Sequence, residues 1–254
     1  MNSKIAIKFR GSLSLLLLVA CFSACSLTAD GNRVIKMDKT ASSASSITSS
    51  AQNTAKKNTN DKKYSATSVM VRPYYQHKKQ RFESYQNNAD IVMVGDSITD
   101  GAEWHEMFPE VSIVNRGISG DTTVGVLHRL QGITQTQAKK AFIMIGVNDF
   151  SRKRSAELVF ANYKKIIAAI QQANIQVLVQ STLQTGISKK HHNLRVAQLN
   201  QLLKAYCTEQ GITFIDLNKV LAPTGILEEK YSLDQLHLTA EGYALWQVEI
   251  TPYM

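Results

Sequence analysis

Three cysteines in 254 residues are too few for a disulfide scaffold. Cys207 lies in a helical pattern and reads as a small core residue without a fixed partner, so no structural disulfide is expected. No apolar run is long enough to span a bilayer, since the longest, Leu13 to Phe22, reaches only half the usual length. A basic and aromatic stripe is also missing. The formal charge of +9 belongs mainly to residues 1–63, with 10 Lys/Arg against 3 Asp/Glu, whereas residues 64–254 carry 19 against 17. Nucleic-acid binding by the folded part is therefore not expected. His105 and the pair His191-His192 have no carboxylate or cysteine at ligand spacing, so neither a metal nor an organic cofactor is expected. There is no internal repeat.

What is present begins with a leader. Lys4, Lys8 and Arg10 precede the short apolar segment, the pattern of an export signal. Leu18-Val19-Ala20-Cys21 resembles a bacterial lipobox with Cys21 as the acylated residue; Phe22-Ser23-Ala24-Cys25 is the alternative, and an ordinary signal with incidental cysteines is the plain reading. Two or three acyl chains would anchor the protein stably to a membrane, at about 0.8 kcal/mol per buried methylene. The organisation expected is a lipoprotein-type signal over 1–25, a disordered Ser/Thr/Lys-rich tether over 26–63 and one domain over 64–254, exported to a bacterial cell envelope.

The domain turns on Ile91-Val92-Met93-Val94-Gly95-Asp96-Ser97, an apolar run that stops in a small polar turn. Such a run reads as a strand buried on both faces, with Ser97 projecting from its carboxyl end. Further strands are expected at Val111–Val114, Ala141–Ile145, Gln176–Gln180 and Thr213–Asp216. Helical patterns fall at Tyr74–Tyr85, Glu103–Phe108, after an Asp121 or Thr122 cap, through Leu158, Tyr163, Ile166, Ile167 and Ile170, at Leu194–Glu209 and at Ala240–Val248. This alternation predicts an α/β fold, a three-layer flavodoxin-like arrangement around a five-stranded parallel sheet of order 2-1-3-4-5. In that order Ser97 and Asn148, both just past strand ends, meet at the switch point.

The residues gathered there suit acyl transfer. Ser97 is a candidate nucleophile or a helix cap. His237 is the candidate base, and Asp234, three residues earlier, can accept from its Nδ1–H, although Asp-x-x-His is also an ordinary helix start. Asn148 and the Gly117 backbone N–H can serve an oxyanion or simply form turns.

Gly95-Asp96-Ser97-Ile98-Thr99, Asn115-Arg116-Gly117, Gly146-Val147-Asn148-Asp149 and Asp234-Gln235-Leu236-His237 resemble, in this order, the four diagnostic blocks of the SGNH (GDSL-like) hydrolases. The resemblance covers residues 70 to 250. It implies Ser97 as nucleophile, His237 as base, Asp234 as orienting acid and an oxyanion hole from the Ser97 and Gly117 N–H groups with Asn148. Ile98-Thr99 in place of the familiar Leu-Ser is the one departure. An α/β-hydrolase elbow would need Gly where Thr99 stands.

Gly95 to Leu130 looks most like the branch holding platelet-activating-factor acetylhydrolase subunits and bacterial carbohydrate acetylesterases. That implies removal of short acyl groups, with O-acetylated glycan as first choice of substrate. A lysophospholipase or thioesterase is the enzymatic alternative, and a glycan-binding lipoprotein with a vestigial site the non-enzymatic one. Arg152-Lys153-Arg154 and Lys189-Lys190 follow strands three and four and should rim the site, attracting an anionic glycan or standing as solvated loop cations. Trp104 either lines the acyl pocket or packs at the sheet edge.

Overall fold

The computed structural model describes residues 65, 67–85 and 88–254. The leader, Cys21 with its alternative Cys25, and the tether of 26–63 lie outside the described residues. Five parallel strands form one sheet: β1 (Ile91–Gly95), β2 (Ile113–Gly117), β3 (Lys140–Met144), β4 (Gln176–Gln180) and β5 (Thr213–Ile215). Their order is 2-1-3-4-5, as predicted.

The sheet is covered on both faces because its central strands alternate two sets of apolar side chains. Val92, Val94, Ala141 and Ile143 face one helical layer, and Ile91, Met93, Phe142 and Met144 face the other. The first layer is built from α7 (Ala156–Gln172) and α8 (Asn193–Gln210), which bury Val159, Tyr163, Ile166, Ile167, Val196, Leu199 and Leu203. The second is built from α3 (Trp104–Met107), α9 (Asn218–Leu221) and α10 (Ala240–Ile250), with Trp104, Leu221 and Trp246 at its centre. Short turns α2 (Ser97–Asp100), α4 (Thr123–His128), α5 (Gln131–Thr134) and α6 (Val147–Ser151) complete the connections.

Helix α1 (Pro73–Ser84) precedes the sheet, with Pro73 in its first turn, where a missing N–H costs nothing. It buries Tyr75 and Phe82 against Ile118 and Val69. Phe82 sits directly over Gly132, where a Cβ would come within 2.9 Å of the Phe82 Cβ.

Two local expectations are corrected. Strand β2 runs from Ile113 to Gly117 rather than ending at Val114, because Asn115, Arg116 and Gly117 pair in register with Met93, Val94 and Gly95. Pairing with β1 and burial of Arg116 outweigh the loss of apolar character that marked an end in the sequence. In α7, Tyr163, Ile166, Ile167 and Ile170 form the buried face as expected, but Leu158 is 54% exposed and Val159 takes the core position in the first turns. Cys207 is fully buried, and burial pushes its thiol up to about 11.

Candidate active site

The site forms where β1 and β3 end side by side. Gly95 pairs with Met144 on one side and with Gly117 on the other. A Cβ on Gly95 would lie 2.1 Å from Thr99 Oγ1 and 2.5 Å from the Met144 carbonyl oxygen, so the turn closes only around glycine. Asp96, not Ser97, is the N-cap of α2, its Oδ1 accepting from the Ile98 N–H at 3.1 Å. The cap thus leaves the serine hydroxyl free of backbone duty. Ser97 Oγ lies 2.9 Å from His237 Nε2.

His237 is set by Asp234 at two points. Asp234 Oδ1 accepts from the His237 backbone N–H at 2.8 Å, and Oδ2 lies 2.9 Å from the ring Nδ1. Burial alone would raise the Asp234 carboxyl; the His237 backbone and ring, with Lys189 behind them, outweigh it and hold the group at about 2. An ionised Asp234 makes Nδ1 the donor and leaves the Nε2 lone pair toward the serine. The Lys189 ammonium donates to the Asp234 carbonyl oxygen at 2.5 Å and lies 3.6 Å from its carboxylate. Gly186 N–H donates to the Gln235 carbonyl oxygen at 2.9 Å, pinning the same loop from the β4 side.

Asn148 is half-buried, in α6 after β3, and its Nδ2 donates to Asp96 Oδ2 at 3.3 Å. One amide hydrogen is thereby spent and the other is left for a ligand. Burial pushes Asp96 up to about 7, with Asp121 and Asp149 adding to the effect against the Ile98 hydrogen bond. Asp121 is fully buried and ion-paired with Arg129 at 2.7 Å, and Arg129 Nη2 donates to the Gly95 carbonyl oxygen at 3.1 Å. A buried ion pair thus supports the strand end that carries the serine.

Gly117 does not serve as expected. Its N–H donates to Asn115 Oδ1 at 2.8 Å, and a Cβ there would come within 2.3 Å of the Asp100 backbone nitrogen. The residue is glycine because α2 lies directly against β2. Three residues on, Gly120 adopts a φ of +77°, and its N–H finds no acceptor among the described residues. Sequence reasoning passed over Gly120 because block and turn glycines look alike in a string. Its neighbour Ser119 lines the cleft together with Tyr74, Ser97, Asp100, Gly101 and His237, a cleft of about 550 Å³.

The expected rim residues divide. Trp104 is 2% exposed, donates its indole N–H to the Thr99 carbonyl oxygen at 3.1 Å and meets Trp246 edge-to-face at 5.1 Å, so it is a core residue and not part of the rim. Arg152 is half-buried and spent on the fold. Its Nη1 donates to the Asn148 carbonyl oxygen at 2.8 Å, Nη2 to the Gly120 carbonyl oxygen at 3.2 Å and Nε to Ser68 Oγ at 3.3 Å. Arg154 is half-buried beside α8, its carbonyl oxygen accepting from Arg195 Nη1 at 3.4 Å, and Lys190 is exposed. Tyr74, unforeseen as a site residue, enters from α1: its hydroxyl donates to Asp100 Oδ2 at 2.7 Å. Burial and that carboxylate push the Tyr74 phenol up to about 12.

Residues 93–245 match the GDSL-like Lipase/Acylhydrolase family. The chain belongs to that family, within the SGNH hydrolases. It is 28% identical over 177 residues to platelet-activating factor acetylhydrolase IB subunit alpha2 of Rattus norvegicus, covering 66% of this chain and 77% of that protein. It is 26% identical over 163 residues to an N-acylneuraminate cytidylyltransferase of Streptococcus agalactiae, covering 64% of this chain. That alignment spans only 38% of the cytidylyltransferase. Among solved structures, an acetyl-xylooligosaccharide esterase from Geobacillus stearothermophilus shares the fold with a TM-score of 0.54 and 19% identity, over 65% of this chain and 94% of that one.

Proposed function

We propose that the protein is a serine esterase that removes short acyl groups, chiefly O-acetyl, from glycans. The observation that carries this reading is the line Ser97 Oγ, His237 Nε2, His237 Nδ1, Asp234 Oδ2, with 2.9 Å at each hydrogen bond, opening into the cleft. Ser97 Oγ attacks the acyl carbon as His237 Nε2 takes its proton. The tetrahedral oxyanion is met by the Ser97 N–H, the Gly120 N–H and the free amide hydrogen of Asn148. Collapse breaks the ester C–O bond, and the departing sugar hydroxyl receives the proton from His237. Water then repeats the sequence on the acyl-serine and releases the free acid.

Short acyl groups are favoured by the composition of the cleft wall. Tyr74, Ser97, Asp100, Gly101, Ser119 and His237 include no aliphatic side chain, so the apolar surface is confined to the neighbourhood of the two rings and forms no aliphatic groove for a long chain. Two relatives support the choice by their names, one an acetylhydrolase and one an acetyl-xylooligosaccharide esterase. The N-acylneuraminate in a third name, an acidic sugar, accords with an anionic glycan. The leader reading adds export to the cell envelope and lipid anchoring through Cys21, or Cys25 in its place. Mass spectrometry of the mature N-terminus tests it, and an unmodified start beyond Cys25 removes the anchor.

Activity on p-nitrophenyl esters of two to sixteen carbons, beside release of acetate from acetylated glycans, tests the substrate class. Highest kcat/KM is expected at two to four carbons. A preference for eight or more would replace this reading with a lysophospholipase or thioesterase, and equal rates for wild type and Ser97→Ala would leave a binding protein.

A further inference from the structure

Helix α1 and strand β2 enclose a second hollow of about 650 Å³, separate from the serine cleft. Strand β2 is an edge of the sheet, and among the described residues it pairs only with β1. No aspartate or glutamate lines the hollow among the described residues, whereas Lys78, Arg81, His105 and Arg116 do. Lys78 is neutralised by Asp100 at 2.7 Å. Arg116 has no such partner. It is only 5% exposed; Nε donates to the Gly132 carbonyl oxygen at 2.8 Å, Nη1 to the Asn115 carbonyl oxygen at 3.3 Å, and Nη2 meets no acceptor. Its guanidinium carbon lies 4.7 Å from the centre of the Phe82 ring.

A buried cation without a counter-ion is costly, and burial followed by repulsion from Arg129 pulls the Arg116 pKa down to about 10. An anion in the hollow would offset that charge at short range, although Nη2 itself is buried out of its reach. The remaining lining describes what carries that anion. Tyr85, 55% exposed, offers a ring face, while Asn88 and Ser112 offer an amide and a hydroxyl. An aromatic face, hydroxyl-directed polar groups and unopposed cations suit a sugar bearing a carboxylate, and they suit neither an acyl tail nor a neutral ring alone.

Asp100 links the hollow to the cleft: its carboxylate pairs with Lys78, and its carbonyl oxygen accepts from Asn115 Nδ2 at 3.1 Å, both residues of the hollow. Asp100 lines the cleft and binds the Tyr74 hydroxyl and the Ser119 N–H on that side, while its partner Lys78 lines the hollow. We propose that the hollow is a subsite for a carboxylate-bearing sugar unit of the glycan whose acyl ester lies at Ser97. The inference rests on the esterase reading for the ester but needs no turnover for the binding.

The test is calorimetric titration of the full-length protein with a trimer of galacturonic acid, with xylotriose as the neutral control and with phosphatidylglycerol vesicles as an alternative anionic surface. Wild type is expected to bind the acidic trimer in preference to both, and Arg81→Glu to weaken that binding at least tenfold; raising the salt should weaken it as well. His105→Glu carries the same test should Arg81→Glu fail to fold, as judged by thermal melting. No binding by wild type, equal binding of acidic and neutral trimers, binding of vesicles alone, or unchanged binding in the reversed variants overturns the subsite. Wild-type turnover of p-nitrophenyl acetate is measured beside it and bears only on the esterase reading, so the two can fail separately.

Discussion

Asp234 holds His237 by two hydrogen bonds at once, one to the backbone N–H at 2.8 Å and one to the ring at 2.9 Å. The first fixes where the residue stands and the second fixes which nitrogen faces Ser97. Replacing Asp234 with Asn keeps the size but no longer enforces the tautomer. Its kcat on p-nitrophenyl acetate is expected to fall by roughly 10²–10⁴, comparable to the loss known for this substitution in a serine protease triad. Ser97→Ala should lose more, with an unchanged melting temperature. A fall of less than threefold in Asp234→Asn would remove the orienting role.

Gly117 and Gly120 are expected to fail in different ways. A Cβ at 117 meets backbone at 2.3 Å, so Gly117→Ala should cost about 2–4 kcal/mol of stability, read by urea unfolding. At 120 the nearest atom is the end of the Arg72 side chain at 3.1 Å, and the φ of +77° is the obstacle. Gly120→Ala should cost about 1–2 kcal/mol but lower kcat by more than tenfold with little change in KM, because the strain turns the N–H offered to the oxyanion. If Gly117→Ala were the variant that folds normally and loses kcat, the two assignments would have to be exchanged.

Arg152 joins the Asn148 and Gly120 loops through their carbonyl oxygens. Arg152→Ala is expected to reduce kcat by about tenfold with KM held within twofold, while Arg152→Lys, unable to bridge both carbonyls in one plane, should recover only part. A change confined to KM would make it a substrate contact instead.

Stability should depend on pH in a direction set by buried carboxyls. Burial raises Asp96 to about 7 and Asp149 to about 6, so the folded state holds these protons more tightly than the unfolded chain. Their contribution is present below about pH 4 and is lost as pH rises toward 7. Asp234, held at about 2, acts in the opposite sense, but only as pH falls below about 4. Between pH 4.5 and 7.5 the unfolding free energy of wild type should therefore decline relative to that of Asp96→Asn, by on the order of a few kcal/mol. Parallel profiles from urea titrations would show that Asp96 ionises normally.

Trp104→Ala should destabilise by about 3–5 kcal/mol, as expected for an emptied aromatic core position, and leave the KM for acetyl esters within twofold in whatever fraction folds. A selective rise in KM would return Trp104 to the substrate wall.

The sheet order was legible because β1, β3 and β4 are short continuous apolar runs set between helical periods, a pattern few other folds produce. The end of β2 was not, since Asn115-Arg116-Gly117 has loop composition and is held in the strand by pairing that no local window contains. Ser97, Asn148 and His237 could be named as candidates because each follows a strand or sits in a recognisable block, and the structure places Ser97 and His237 within hydrogen-bond distance. The role of Gly117 was misread because hydrogen bonding from Asn115, two residues before it, is a matter of side-chain direction and not of spacing. Tyr74 and Arg116 were not singled out for a similar reason: one comes from a helix ahead of the family segment, and the other was quoted only as the middle of the Asn115-Arg116-Gly117 block, its burial being set by packing that no local window contains.

Helix α1 lies wholly outside the stretch that matches the family, yet it supplies one wall of the cleft and one side of the neighbouring hollow. Under the proposed function, substitutions at Tyr74, Lys78 or Arg81 can therefore alter which substrates are accepted while the proton-transfer parts stay untouched. Part of the wall around the site is thus encoded outside the stretch that carries Ser97, Asp234 and His237, and that part can drift without them.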